Sequence, residues 1–185
     1  LNSGQINTTF HEYAGRDLLE SWDAYGGHTE ASGAASIAMG AKARSAGNLA
    51  TAIGIHSSAS GIASSAFGVG SSAAAKGALA LGAGAQSIID DGVALGSRSV
   101  ANVGGGALGF APTSASATDK DAITATNSTS LGAVSLGNAK DGTRQIVNLA
   151  AGTNDSDAVN VAQLKSVSNT VTANKTKYYS VNSGA

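Results

Sequence analysis

A tripeptide of Ala, a hydrophobe and Gly returns every 14 residues along the first half of this chain. The copies are Ala24-Tyr25-Gly26, Ala38-Met39-Gly40, Ala52-Ile53-Gly54, Ala66-Phe67-Gly68, Ala80-Leu81-Gly82 and Ala94-Leu95-Gly96. A further copy, Ala107-Leu108-Gly109, arrives one residue early. A fixed period makes each unit one turn of a repeating structure, and helix-turn-helix repeats need more than ~30 residues. A Gly directly after each hydrophobe would also weaken a helix interior. Two short strands and two tight bends fit instead. The period therefore predicts a β-solenoid whose coils climb ~4.8 Å each, the spacing of hydrogen-bonded strands.

Alternation along a strand assigns the faces. The middle residue of the motif is always Ala, whereas its neighbours vary: Ile37 and Met39, Thr51 and Ile53, Ser65 and Phe67, Leu79 and Leu81, Val93 and Leu95. An Ala-only position suits the cramped inside of so small a coil, so the larger residues should point outward in a stripe. On a monomer that stripe would be a sizeable apolar patch, and such patches mark interaction surfaces. Gly33, Gly47 and Gly61 mark a second bend per coil. Ala75 and Ile89 replace this Gly in later coils, so the bend there should be made differently. Lys42, Arg44, His56, Lys76, Gln86 and Arg98 fall between motifs and are expected to face solvent.

Composition narrows the function. Ala, Gly and Ser dominate, aromatics are 4% and Pro occurs once; such a chain would ordinarily read as low complexity, which the strict period argues against. Charged residues are only 12% and the net charge is −1, so nothing favours nucleic acid or an anionic membrane surface. No Cys is present, which removes disulfides, thiol catalysis and thiolate metal sites. No run reaches the ~18 apolar residues of a membrane span, and no signal peptide opens the chain. A start at Leu1 suggests a fragment or processed product.

Enzymatic readings are weak. Gly104-x-Gly106-x-x-Gly109 matches a dinucleotide fingerprint in letters only, because Phe110-Ala111-Pro112 follows instead of a helix. His11, His28 and His56 are far apart, with no Ser or Asp singled out beside them. Asp90-Asp91 and Asp119/Asp121 could hold a hard cation, but they read better as solvated turn carboxylates. No catalytic, cofactor-binding or metal-binding residue is assigned, and the chain is not read as an enzyme.

The flanks depart from the period. Residues 1–23 are polar, with a capping-box pattern at Thr9-Phe10-His11-Glu12 that predicts a short helix through Leu18, Leu19 and Trp22. They are expected to cap the open edge of the first coil. After the repeats of 24–109, residues 110–141 form an insertion expected to fold as a loop against the outside of the solenoid. Its last part, Ser130-Leu131-Gly132-Ala133-Val134-Ser135-Leu136-Gly137, resumes strand-and-Gly character. Later hydrophobes adopt helical spacing. Leu164, Val171 and Tyr178 at a, with Asn160, Val167 and Asn174 at d, make a short coiled-coil pattern. Tyr178-Tyr179-Ser180-Val181 looks like a strand opening a further domain over 178–185.

These residues together resemble the trimeric autotransporter adhesins. The 14-residue repeats resemble their YadA-like head, and 110–137 resembles the head insertion motif. Residues 142–164, with Gly142-Thr143-Arg144-Gln145-Ile146-Val147-Asn148-Leu149-Ala150-Ala151-Gly152-Thr153 and Asp157-Ala158-Val159-Asn160-Val161-Ala162-Gln163-Leu164, look like the neck. The resemblance implies an all-β, left-handed parallel β-roll assembled as a homotrimer. A neck would then narrow it onto a short α-helical trimeric coiled coil over 165–177. It places Met39, Ile53, Phe67, Leu81 and Leu95 in the trimer core. It assigns Arg144, Gln145, Ile146, Asp157, Val159, Asn160, Val161 and Leu164 to the neck, with Arg144 and Asp157 expected in intersubunit salt bridges. Asn174 is similar to stalk asparagines that surround an anion on the threefold axis, so chloride is the one small ligand implied.

The function implied is an extracellular adhesive head on the Gram-negative cell surface. Its outer face would bind host matrix, cell-surface macromolecules or other cells, with no nucleic acid partner. Contact with the outer membrane would run only through a C-terminal anchor lying outside this sequence. The alternative is a structural spacer that lifts a more distal binding domain off the cell.

Overall fold

A computed structural model describes residues 3–15 and 28–180. The motif copy at Ala24-Tyr25-Gly26 and the positions Leu18, Leu19 and Trp22 lie outside them. The chain divides into two compact units. One holds the coils together with Asn127–Arg144, and the other comprises Gly109–Thr126 and the residues from Gln145 onward.

The first unit is a parallel β-solenoid. Three-residue strands carry the repeated motif: β2 (Ile37–Met39), β4 (Thr51–Ile53), β6 (Ser65–Phe67), β8 (Leu79–Leu81) and β10 (Val93–Leu95). Two-residue strands alternate with them: β1 (Glu30–Ala31), β3 (Arg44–Ser45), β5 (Ser58–Ala59), β7 (Ser72–Ala73), β9 (Gln86–Ser87) and β11 (Val100–Ala101). The odd-numbered strands β1 to β11 stack in order into one six-stranded sheet. The other sheet runs β12 (Val134–Ser135)-β10-β8-β6-β4-β2. Register is one repeat per rung, so Ala52 pairs Ala66, Ala66 pairs Ala80 and Ala80 pairs Ala94.

The inside of the coil is narrower than the Ala column alone indicated. Four columns of small side chains fill it. One is the motif Ala, fully buried at Ala52, Ala66, Ala80 and Ala94; the other sheet contributes Ser45, Ala59, Ala73, Ser87 and Ala101. The two corners contribute Ala43, Ser57, Ser71, Ala85 and Ser99, and Ala50, Ser64 and Ala78. A buried hydroxyl needs a partner, and most find a local carbonyl: Ser57 and Ser71 Oγ donate to Gly54 and Gly68 O at 2.9 Å, and Ser87 Oγ to Gly92 O at 2.8 Å. Ser45 and Ser64 Oγ are buried without one.

Both corners are tight turns. At the first, Ser57 N donates to Gly54 O at 3.2 Å, and the same bond recurs in every coil. The motif Gly is dictated by conformation and by space: Gly68 has φ +128, and a Cβ there would lie 2.6 Å from Gly82 C in the next coil. At the second corner the bend survives the loss of Gly. Ala78 N donates to Ala75 O at 3.3 Å and Gly92 N to Ile89 O at 3.2 Å, as Ala50 N does to Gly47 O at 3.2 Å. The expectation of a different bend in the later coils is therefore corrected.

The motif copy Ala107-Leu108-Gly109 forms no rung. Leu108 is 83% exposed, and the place beside β10 is taken by β12, pairing Val93 with Val134 and Ala94 with Ser135. The segment before β12 is no plain loop either. It contains α2 (Ala117–Ala125), started by a capping box in which Ser116 Oγ accepts from Asp119 N at 3.2 Å.

The N-terminal helix differs from its expected position. α1 spans Ser3–Ala14, so Thr9–Glu12 lies inside it and is not its start. Gly15, at φ +65, ends it, its N–H donating to His11 O at 2.9 Å. It packs on the flank of the solenoid and not over the edge of the first coil. Phe10 is 4% exposed with its ring 5.1 Å from that of His56, and Glu12 pairs with Arg98. His56 and Arg98 thus face α1 instead of open solvent.

Two substitutions test this interior with opposite signs. Ser64→Ala removes a buried, unpartnered hydroxyl from a column that holds Ala50 and Ala78 in the adjacent coils, and is expected to raise stability by about 1 kcal/mol. Gly68→Ala is expected to lower it by roughly 3 kcal/mol or more, through strain and collision with the next coil. Thermal unfolding followed by circular dichroism reads both; a neutral Gly68→Ala would contradict the packing described.

Candidate functional site

Strand alternation buries the motif Ala and turns its neighbours outward on the sheet of even-numbered strands. Met39, Ile53, Phe67, Leu81 and Leu95 occupy equivalent positions in β2, β4, β6, β8 and β10, and pair in register as one column. Met39 is 60% exposed, Leu81 42% and Leu95 41%, with Ile53 and Phe67 half-buried. Ile37, Leu79, Val93 and Val134 lie on the same face in a second column, interrupted by Thr51 and Ser65. The result is an outward apolar face with one unbroken column, larger than scattered surface hydrophobes would make.

The last coil ends in a polar plug. Open rungs expose carbonyls that the next strand would have paired, and here side chains do so. Arg144 Nη2 donates to Ser97 O at 2.6 Å, and Nη1 to Leu136 O at 2.6 Å and Ser99 Oγ at 3.0 Å. Asn138 Nδ2 donates to Arg98 O, while Asn138 Oδ1 accepts from Lys140 N and Asp141 N at 2.8 and 2.7 Å. The guanidinium lies 3.3 Å from where a Cβ on Gly96 would be, the position a further coil's backbone would occupy. Arg144 therefore bonds the end of its own coil.

In the second unit, residues 149–164 fold around two amide side chains. Asn160 caps α3 (Val161–Ser180) instead of holding a d position within it. Its Oδ1 accepts from Gln163 N at 3.1 Å, and Gln163 Oε1 returns the bond to Asn160 N at 3.2 Å. Gln163 also grips Gly152, accepting from its N–H at 3.1 Å and donating to its O at 2.9 Å. Asn160 Nδ2 reaches Leu149 O at 3.2 Å. Gln163 was not singled out from the sequence, although its place three residues after Asn160 is a capping-box signal. Asp157 Oδ2 closes a turn, accepting from Thr153 N at 2.8 Å and Asn154 N at 2.9 Å. It too has partners in its own chain.

Ile146, Val159, Val161 and Leu164 of this unit are exposed, as are Gln145, Val167, Val171 and Asn174. Leu164, Val167, Val171 and Asn174 recur at three- and four-residue intervals and so share one face of α3. The strand expected at Tyr178-Tyr179-Ser180 is absent, because α3 continues through Ser180; Val181 lies outside the described residues.

Two of the carboxylates considered for a cation, Asp90 and Asp119, have structural partners. Asp90 Oδ1 accepts from Lys76 N at 3.1 Å, and Asp119 belongs to the α2 cap. Among the described residues no cluster of three or more His, Asp or Glu could hold a metal, and no helix is long and apolar enough to cross a membrane. Gly104–Gly109 leads into no helix.

Residues 145–185 match the family model described as the coiled stalk of trimeric autotransporter adhesin. The chain is 50% identical over 82 residues to autotransporter adhesin BadA of Bartonella henselae, and 53% identical over 79 residues to trimeric autotransporter adhesin AtaA of Acinetobacter sp. (strain Tol 5). Over these stretches the chain is similar to trimeric autotransporter adhesins. These matches take in 44% and 42% of the chain, but only 3% and 2% of the two relatives. Among solved structures, the collagen-binding domain of the Yersinia adhesin YadA aligns over 74% of this chain and 76% of its own, at 26% identity and TM-score 0.37. The C-terminal YadA-like domain of BPSL2063 from Burkholderia pseudomallei aligns over 100% and 86%, at 19% identity and TM-score 0.42.

Two outcomes follow for these residues. Arg144→Ala strands three acceptors at the coil end and is expected to cost about 2–3 kcal/mol locally. Hydrogen exchange should quicken in β10 to β12 and stay unchanged in β2 to β4. The Asn154 N–H and then the Thr153 N–H hold the Asp157 carboxyl below its ordinary value of 3.8. A lowered carboxyl pKa stabilises the fold above the unfolded value, and that contribution is lost as pH falls through the lowered one. The turn at 153–157 should therefore stay intact from pH 7 to 5 and loosen only in stronger acid. An NMR titration of Asp157 with a midpoint at or above 3.8 would contradict this.

Proposed function

We propose that this segment is a cell-surface adhesive module that works as a homotrimer. The observation that carries the proposal is the unbroken outward apolar column on a coil whose interior holds only small side chains, Ala and Ser. Three such faces meeting on an axis would bury Met39, Ile53, Phe67, Leu81 and Leu95. Each large side chain removed from water contributes roughly 1.5–3 kcal/mol, so several layers offset an association cost of about 4–15 kcal/mol. A coil lined by Ala and Ser gains little from its own core, so folding and assembly should be coupled.

The same axis would continue through the neck residues Ile146, Val159, Val161 and Leu164 into a three-stranded coiled coil along Leu164, Val167 and Val171. Asn174 would then face the axis and hold chloride. On this reading the other surfaces are left to attach to host matrix, cell-surface macromolecules or other cells, as the adhesin relatives' names suggest. The module would stand on the Gram-negative outer surface and catalyse nothing.

Light scattering at low micromolar concentration tests the assembly: a mass near three chains is expected, and Phe67→Asp should abolish it. A Phe67→Asp protein as trimeric and heat-stable as the parent would sink the proposed axis. Saturable binding of the parent trimer to immobilised matrix proteins or to cells tests adhesion. No binding to any of them would leave the segment as a spacer.

A further inference from the structure

The first corner of each coil puts one residue at a left-handed φ: Lys42, His56, Gly70, Gly84 and Arg98, at +58, +56, +65, +67 and +59. Three of the five are not glycine, so the conformation alone does not call for Gly at 70 and 84. What calls for it is α1. A Cβ on Gly70 would sit 2.9 Å from Ala14 Cβ, and one on Gly84 would collide with Tyr13 O. On either side of this bare pair the column carries side chains that grip the helix. His56 lies with its ring tilted against that of Phe10, and Arg98 pairs with Glu12 while its guanidinium lies 5.0 Å from the centre of the Tyr13 ring.

We propose that this corner column is a helix seat built into the repeats, and that α1 of the same chain is its occupant and acts as a strap across four consecutive coils. Two rungs without side chains admit the helix backbone, and two flanking rungs with an aromatic ring and a cation fix its position. Each rung of the column is joined to the coil before it by one backbone bond: His56 N to Ala41 O, Gly70 N to Ile55 O, Gly84 N to Val69 O and Arg98 N to Ala83 O, at 2.8–2.9 Å. Coils in a solenoid touch only their neighbours and open one at a time. A helix holding four of them makes them open together. The N-terminal residues are thus part of the head's mechanical unit, and not a linker leading to it.

Hydrogen exchange on the full chain tests the seat. Gly84→Ala drives a methyl into Tyr13 O. Gly77→Ala is the control, because Gly77 has the same φ of +64 at the other corner and meets only the Asp91 side chain. Gly84→Ala should speed exchange of the α1 amides and of Gly70 and Arg98 N–H by about tenfold or more, toward that of a freely opening coil. Gly77→Ala should leave α1 unchanged. Equal effects of the two variants, or α1 amides already unprotected in the parent, would overturn the seat. Which chain supplies the helix is read from Glu12→Cys paired with Arg98→Cys, two positions whose side chains already meet, joined by a short bis-maleimide in a protein with no other Cys. A crosslink within one chain on a denaturing gel is expected. A crosslink between chains, or none with both thiols modified, would overturn the strap.

Discussion

Everything in the head depends on the ladder of backbone hydrogen bonds between successive coils. With one rung per 14 residues and every residue stacked on its equivalent, the coils can approach no closer or farther than one strand spacing, ~4.8 Å. That distance decides what the interior tolerates. Four columns of Ala and Ser fill it, and glycine stands where the chain turns with its Cβ position aimed at the next coil's carbonyl. Anything larger would break the ladder before it packed. The usual source of stability, a large apolar core, is therefore closed to this fold, and the large side chains are displaced to the outside. An outward apolar stripe is the counterpart of a minimal interior.

A ladder also has ends, and both the plug at Arg144 and the amide clasp at Gln163 answer the same problem of unpaired backbone. At the coil end a guanidinium, whose five donors lie in one plane, reaches two carbonyls and a hydroxyl that a further strand would have met. Before α3, the Gln163 amide pairs with both polar groups of Gly152 while completing the helix cap with Asn160. Each is a side chain imitating a strand.

The repeat and its inward and outward faces were legible because they rest on a period, and Ala52, Ala66, Ala80 and Ala94 lie where alternation puts them. What was not legible depended on choices between equally good local patterns. Ala107-Leu108-Gly109 carries the motif but loses its rung to Ala133–Gly137, because closure of the sheet selects the segment that also delivers Gly137 O to Val100 N. Asn160 fits a heptad as well as a cap, and its three-residue spacing to Gln163 is what makes it a cap. The seat of α1 left its trace in the glycines at 70 and 84, but that trace means nothing until the corner column is known to tolerate other residues. Arg144 was legible only as part of the stretch after the repeats; three dimensions reveal that it bonds Ser97 O and Leu136 O at the end of the last coil.

A stack in which each coil touches only its neighbours has no shared core to make it unfold as one body. Its resistance to being pulled or frayed rests on contacts that span several rungs at once, and the head has two kinds of them. The outward face offers a partner chain one apolar column across β2 to β10, so association would bind all the rungs on one side. On the corner, α1 reaches from His56 to Arg98 with a single helix. The plug at Arg144 closes the end from which the stack would otherwise unzip. These cross-rung contacts supply the cooperativity that the thin interior cannot. One is made by the repeats themselves through their outward column, and the others by elements outside the repeat, α1 and Arg144.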